Sequence, residues 1–135
     1  MVARGRGHIL NFSSLAATNA LPGMAAYSTA KAGLSHFTAT LRAELRGTPV
    51  TTTLAEIGPI ANAMGDNLRT YEPTRRALDR YRKLHLQVDV DPDDVVKALV
   101  RAIERNQRYV RMPLRNAPFP IMAELPRQLN EWFTR

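Results

Sequence analysis

The alternation of short apolar runs with long stretches of helical periodicity constrains the fold of this 135-residue chain most strongly. The runs GHILNFSS and VTTTLAEIGP stop at serine or glycine, which is typical of strands. Between them, leucine and phenylalanine recur at helical spacing, and Gly47 is expected to cap that helix at its C-terminus. The periodic residues are Leu34, Phe37, Leu41 and Leu45. A strand, a helix and a second strand in this order predict a right-handed parallel crossover.

The same pattern recurs towards the C-terminus. In DPDDVVKALVRAIERN, Asp91 is expected as the N-cap of a helix and Pro92 as its first residue, and QRYVRMP reads as a third strand. The predicted apolar stripe of this helix consists of Val95, Leu99, Val100 and Ile103. We therefore predict the α/β class, with a parallel, Rossmann-type sheet of about three strands. HILNF is apolar on both faces, like an interior strand, so the sequence resembles half of a larger doubly wound domain.

The composition excludes some classes of function and leaves others open. The chain has no cysteine, which excludes disulfides and thiolate catalysis and leaves a reducing compartment, the cytoplasm, as the expected location. The net charge of +7 is compatible with an anionic surface, but ordinary solubility explains it equally well, and we expect no nucleic-acid partner. No metal site is expected, because the three histidines lack ligand spacing and Asp89, Asp91 and Asp93 are better explained by helix capping than as the start of a calcium loop.

One group of polar residues indicates chemistry. Ser14 ends the first predicted strand, Tyr27 begins the helix that follows, and Lys31 lies four residues further on. Ligands of open parallel sheets bind outside the carboxyl ends of the strands, where these three side chains are expected to converge. A nearby cation favours the phenolate form of a tyrosine, so Tyr27 would exchange a proton with an alcohol or carbonyl oxygen that Ser14 holds.

The spacing of these residues resembles the short-chain dehydrogenase/reductase family. Ser14 stands thirteen positions before Tyr27, and the lysine lies in the run AKAGL. GHILNFSS resembles the family's fifth strand, AEIGPIANAM its sixth strand and the loop over the nicotinamide, and DPDDVVKALVRAIERNQRYVRMP its last helix and strand. The resemblance covers residues 1–113, the catalytic half of a Rossmann-type domain, and we expect residues 114–135 to form an amphipathic tail helix.

The resemblance implies hydride transfer between NAD or NADP and an alcohol or ketone. Ser14 would orient the substrate, Tyr27 would be the general acid/base, and Lys31 would bind the nicotinamide ribose and favour the tyrosine phenolate. The other residues implied to contact the cofactor are Gly58, Pro59 and Ile60, through their backbone, and Asn62. In this sequence Asn62 stands where the family usually has threonine, and Ile57 stands where it usually has proline.

Two segments outside this group have more than one interpretation. The resemblance places a substrate lid at residues 65–84, called the lid segment below. Its many arginines could bind phosphates or acidic lipid, but a solvated charged helix is the favoured interpretation. Packing of the tail on its own domain or on a second subunit ranks above contact with a membrane surface. The lid residues expected to select the substrate are Leu68, Tyr71, Leu78 and Tyr81.

The resemblance does not extend to the N-terminal half of the family's domain. No counterpart is found for the glycine-rich turn that binds the pyrophosphate, and the Gly5–Gly7 stretch GRG precedes a strand instead of following one. Two alternatives therefore stay open: a catalytically silent fragment or partner-binding remnant, and a basic module at a membrane surface. A homo-oligomer stays open as well, because the resemblance implies a dimer interface of which only the later helix is present.

Overall fold

The computed structural model describes residues 1–60, 63–85 and 88–133. The strands are β1 (Gly7–Ser14), β2 (Val50–Ile57) and β3 (Tyr109–Met112). The helices are α1 (Ala25–Glu44), α2 (Ala63–Leu68), α3 (Glu72–Lys83), α4 (Pro92–Glu104) and α5 (Pro118–Phe133). Short 3-10 turns occupy Val2–Arg4, Leu15–Ala17 and Leu114–Asn116.

The three strands form one parallel sheet in the order β1-β2-β3, which confirms the predicted α/β class. The register pairs Ser14 with Ile57 and Ile57 with Met112, so the carboxyl ends of the strands are level. Within the described residues, β1 pairs with β2 alone and its other edge is open. The loops that follow the three strands therefore meet at one rim of the sheet.

The two faces of the sheet carry different chemistry. On one face, α4 packs against an apolar cluster that includes Ala55, Val110 and Leu99. On the other face, α1 contacts β1 through polar groups: the Asn11 amide donates to Thr38 Oγ1 at 2.9 Å. Side chains alternate between faces along a strand, which explains how one strand serves both layers.

The apolar stripe of α4 differs from the predicted one. Val95, Leu99 and Ala102 are buried, but Val100 is 49% exposed and Ile103 is 41% exposed. The prediction was wrong for these last two residues because each follows a buried residue by one position, which turns its side chain about 100° away from the sheet. The predicted cap of α4 is confirmed, since the Asp91 carboxylate accepts from the backbone N–H of Asp93 at 2.8 Å.

The C-terminus of α1 also differs from the prediction. The helix ends at Glu44, and Leu45 is its cap, so Gly47 lies beyond the helix. Gly47 adopts φ 79°, the left-handed region in which glycine is favoured, and it sits in the turn that leads into β2. Hydrogen bonds within that turn, such as Thr48 N–H to Leu45 O at 3.0 Å, replace the expected glycine cap.

A buried ionic cluster attaches α5 to the polar face of the sheet. Arg111 on β3 donates to Glu56 on β2 at 2.7 Å and to Glu124 on α5 at 3.2 Å. Both carboxylates are almost fully buried, with side-chain exposures of 2%. Burial, followed by the hydrogen bond with Glu124, raises the pKa of the neighbouring Tyr109 above its ordinary value of 10.0. Glu124 thus helps to fix the tail helix on its own domain.

Candidate active site

A cavity of about 500 Å³ lies at the carboxyl ends of the strands. Its walls come from the end of β1, the first turns of α1, the loop after β2, and helices α2 and α3. Ser14, Tyr27 and Lys31 all line this cavity, together with Gly58, Pro59 and Ile60. The fold therefore brings to one cavity six of the seven residues expected to act in catalysis or cofactor binding, and the seventh, Asn62, lies outside the described residues.

Ser14 occupies the last position of β1 and caps the 3-10 turn that follows. Its Oγ accepts a hydrogen bond from Ala16 N–H at 3.1 Å and donates a long one, 3.4 Å, to the carbonyl of Ile57. The accepted bond fixes the hydroxyl at the cavity wall. The donated bond is at the weak end of the usual range, so a substrate oxygen at a shorter distance can replace it.

Tyr27 and Lys31 lie one turn apart on α1, and both line the cavity. The Lys31 ammonium donates to the carbonyl of Phe12 on β1 at 2.8 Å. It lies 5.5 Å from the centre of the Tyr27 ring, within the range of a cation–π contact. An ammonium has three N–H donors, so Lys31 can hold Phe12 and still bind a ligand next to the phenol.

The loop after β2 is shaped by packing as well as by the cavity. Gly58 donates its N–H to the Met112 carbonyl at 2.7 Å, and the Pro59 carbonyl accepts from Val90 N–H at 2.8 Å. A Cβ on Gly58 would lie 2.9 Å from Pro113 Cδ, which is closer than side chains tolerate. These internal hydrogen bonds already use two of the backbone groups that were expected to contact the cofactor. A glycine is required at this position because atoms of Pro113, Met112 and Leu15 lie too close for a side chain.

The lid segment provides the far wall of the cavity. Leu68, Leu78 and Tyr81 line it, in line with their expected position near the substrate. Tyr71 does not: it is 54% exposed and lines a separate shallow pocket beside Gly23. Tyr71 is the N-cap of α3, whereas Leu78 and Tyr81 lie on its later turns. The amphipathic pattern of α3 does not by itself indicate which part of the helix reaches the cavity.

Sequence reasoning did not assign several charged or polar residues to the cavity. The charged ones are Asp66, Arg69, Arg82 and Asp89, and the uncharged polar ones are Ser13, Thr18, Asn19 and Asn116. Among the described residues, no group of three or more His, Cys, Asp or Glu side chains is arranged to hold a metal ion. In the same part of the chain, no helix has the length and apolar character needed to cross a membrane.

The parallel sheet with a ligand-sized hollow at its carboxyl rim defines part of a Rossmann-type α/β protein. A family model described as short chain dehydrogenase matches residues 1–73, more than half of the chain. The chain therefore belongs to the short-chain dehydrogenase family.

Individual relatives support this assignment. The chain is 55% identical over 53 residues to an "Uncharacterized oxidoreductase" of Myxococcus xanthus, a match that covers 39% of this chain and 21% of the relative. It resembles the solved actinorhodin polyketide ketoreductase with NADPH at 28% identity and a TM-score of 0.62, covering 76% of this chain and 42% of that one.

A third comparison concerns the fold alone. A short-chain dehydrogenase structure from Streptomyces avermitilis superimposes with a TM-score of 0.66 at 19% identity. The match covers 99% of this chain and 53% of the solved one. Three curated relatives are matched over only 21%, 38% and 46% of their length, so the chain spans less than half of each.

Proposed function

We propose that this chain carries the catalytic half of an oxidoreductase that transfers hydride between a nicotinamide cofactor and an alcohol or ketone. The observation that supports this most directly is the convergence of Ser14, Tyr27 and Lys31 on one cavity, with the ammonium 5.5 Å from the phenol ring. The membership of the short-chain dehydrogenase family points to the same reaction type. NAD and NADP both remain candidates.

In this mechanism Tyr27 moves the proton. When bound in the cavity, a nicotinamide would supply or accept the hydride. In the direction of reduction, the Tyr27 hydroxyl donates its proton to the carbonyl oxygen as negative charge develops there, and Ser14 Oγ donates a hydrogen bond to the same oxygen. In the direction of oxidation, the Tyr27 phenolate takes the proton of the alcohol. The Lys31 ammonium stabilises that phenolate through its positive charge.

The cavity is compatible with a nicotinamide and a small substrate side by side. Its volume of about 500 Å³ falls within the usual range of small-molecule sites. Lys31 would hold the ribose through its remaining donors, next to Tyr27. Gly58, Pro59, Ile60 and Asn62 would line the nicotinamide. Among the described residues of this loop, the Ile60 backbone is the more available contact, because the Gly58 N–H and the Pro59 carbonyl have internal partners.

The decisive experiment replaces the phenol alone. Tyr27→Phe is expected to lower the rate of NADH or NADPH oxidation with a panel of ketones by about 10²- to 10⁴-fold, the usual contribution of a general acid. Tyr71→Phe is the matched control, because that tyrosine is exposed and lies outside the cavity. Equal activity in the Tyr27→Phe variant and the unmodified chain would refute the mechanism.

A binding titration distinguishes this proposal from a silent fragment. The folded chain is expected to bind NADH or NADPH in a fluorescence titration, and Lys31→Ala is expected to weaken that binding. No detectable binding by a chain that is folded by circular dichroism would favour the silent fragment. Sedimentation with anionic liposomes at low and high salt tests the surface-module alternative, for which only salt-sensitive binding would count in favour.

A further inference from the structure

We propose that Ser13 is a positioning residue, which fixes the part of α1 that carries Tyr27 and Lys31 against the strand that ends at Ser14. This rests on the function proposed above, in which those three side chains act together. Ser13 directly precedes Ser14 on β1 and is buried at the edge of the cavity. Its Oγ donates to the backbone carbonyl of Lys31 at 2.9 Å. The strand and the helix are thus joined at the residue that stands beside the phenol.

A second buried hydroxyl, that of Ser35 on α1, completes this contact. Its Oγ lies 3.1 Å from the Lys31 carbonyl and 2.8 Å from Ser13 Oγ. Each hydroxyl has one proton, so only two of the three possible bonds form at the same time. Every such pair of bonds includes one between Ser13 and α1. Because Ser35 belongs to the helix itself, it is Ser13 that ties the helix to the strand here.

Lys31 is therefore held on β1 at two points. Its ammonium donates to the Phe12 carbonyl at 2.8 Å, and its own carbonyl accepts from Ser13. These two partners are consecutive residues, and Ser14 is the next. Tyr27 precedes Lys31 by about one helical turn, so a helix that is fixed at Lys31 also holds Tyr27 in place. A shift of α1 along the strand would move both side chains relative to Ser14.

The polar character of this interface supports a positioning role. Apolar packing is non-directional, whereas a hydrogen bond has a preferred distance and angle. A second polar contact between the same elements lies about two turns further along α1, where the Asn11 amide donates to Thr38 Oγ1 at 2.9 Å. Thr38 is fully buried and donates to the Leu34 carbonyl at 2.7 Å. It also holds the helix, but away from the turn that carries Lys31, and so provides a matched control.

The first test follows the two side chains by NMR and needs no turnover. Nuclear Overhauser cross-peaks between the Tyr27 ring protons and the ε-methylene protons of Lys31 report the contact of 5.5 Å between the ammonium and the ring centre. Ser13→Ala is expected to lose these cross-peaks, and Ser13→Thr, which keeps the hydroxyl, is expected to restore them. Thr38→Val removes one buried hydroxyl of the same interface and is expected to retain them.

The second test is kinetic, with NADH or NADPH and a panel of ketones. Ser13→Ala is expected to lower kcat by about 10- to 100-fold, since small displacements of catalytic groups have effects of this size. The KM for the ketone should change little, because Ser13 is proposed to act on the reacting groups and not on ground-state binding. Thr38→Val is expected to retain kcat, although it also removes hydrogen bonds from the interface.

Three NMR results would overturn the proposal. They are cross-peaks that persist in folded Ser13→Ala, cross-peaks that remain absent in folded Ser13→Thr, and an equal loss in Ser13→Ala and Thr38→Val. The last result would show a general loosening of the interface. If Ser13→Ala does not fold, Ser13→Cys replaces it, because a thiol is a weaker donor than a hydroxyl. Weakened cross-peaks in that variant support the proposal, and unchanged ones contradict it.

The proposed hydride transfer can fail independently. A chain that shows no turnover, or turnover that Tyr27→Phe leaves unchanged, would contradict the mechanism, while the NMR comparison still decides the role of Ser13. Turnover that depends on Tyr27 but is fully retained in folded Ser13→Ala would contradict the role of Ser13 and leave the mechanism standing.

Discussion

At the level of single residues, close packing explains positions that the family resemblance assigns to the cofactor. Gly58 lines the cavity, yet the atoms nearest to a Cβ at this position belong to Pro113, Met112 and Leu15. Its glycine is therefore needed for the fold whether or not a nicotinamide is bound. Substitutions at Gly58 will change stability as well as binding, and the two effects have to be measured separately.

The first prediction concerns this glycine. Gly58→Ala is expected to destabilise the chain by about 1–3 kcal/mol, because the new methyl overlaps its neighbours. Gly33 is the matched control: it lies within α1, and no atom of its surroundings lies within 4 Å of the position that a Cβ would take. Gly33→Ala is expected to stabilise the chain by about 0.5–1 kcal/mol through helix propensity. Urea denaturation measures both changes, and opposite signs are required.

A second prediction for a single residue concerns alkaline pH. The pKa of Tyr109 is raised in the folded chain, mainly by burial, so the unfolded chain releases this proton first. The stability associated with the neutral phenol is therefore complete below pH about 10 and is lost as the pH rises through the folded pKa. Tyr109→Phe is expected to reduce the fall in unfolding free energy as the pH rises above about 10. Tyr71→Phe, at an exposed site, is the control.

At the level of helices and strands, α5 depends on an interaction that the sequence does not announce. Glu124 on α5 is buried and forms an ion pair with Arg111 on β3 of the sheet. Glu56 and Arg111 lie on different strands, far apart in the chain, so no local pattern links them with a helix near the C-terminus. Only the register of the sheet brings the three charges together.

The third prediction removes one of these charges. Glu124→Ala is expected to destabilise the chain by about 3–5 kcal/mol, the usual cost of breaking a buried ion pair. Backbone amides of α5 should then exchange hydrogen faster than those of α1. Glu72→Ala is the control, because that glutamate is exposed and its arginine partners lie on its own helix. Unchanged exchange in α5 would show that the cluster does not hold the helix.

The difference between local sequence patterns and contacts between residues far apart in the chain explains how much of the molecule could be predicted. Local patterns predicted the strands, the start of α4 and the spacing of Ser14, Tyr27 and Lys31. The α/β class could be predicted from the order of these elements. Val100 and Ile103 were placed on the wrong face because helical periodicity does not determine which side of an apolar stripe meets the sheet. Arg69 gave no signal, since one arginine in a charged segment looks like any other until the segment folds over the cavity.

For the chain as a unit, the dominant feature is a narrow sheet that is open at one edge in the described residues. β1 pairs with β2 alone, and Phe12 on this strand is 44% exposed. An unpaired strand edge with an exposed aromatic side chain favours association with another strand. We therefore expect this edge to contribute to association of the chain in solution.

The fourth prediction follows from this edge. The isolated chain is expected to associate as its concentration rises, as measured by sedimentation velocity. Phe12→Lys should reduce this association, because a charged side chain on an edge strand opposes pairing. Phe37→Lys, which changes an exposed aromatic residue on α1, is the control for a general effect of added charge. Equal effects of both variants would point to charge rather than to the strand edge.

The level carboxyl ends of the three strands separate two groups of residues around the cavity. Ser14, Tyr27 and Lys31 lie on β1 and α1, whereas residues 65–84 contribute side chains to the cavity wall from the connection that follows β2. This connection can be replaced by another segment while Ser14, Tyr27 and Lys31 keep their positions on β1 and α1. Under the proposed function, we expect that grafting the corresponding segment of a relative changes the substrate preference. The proposed role of Tyr27 in proton transfer should be unaffected.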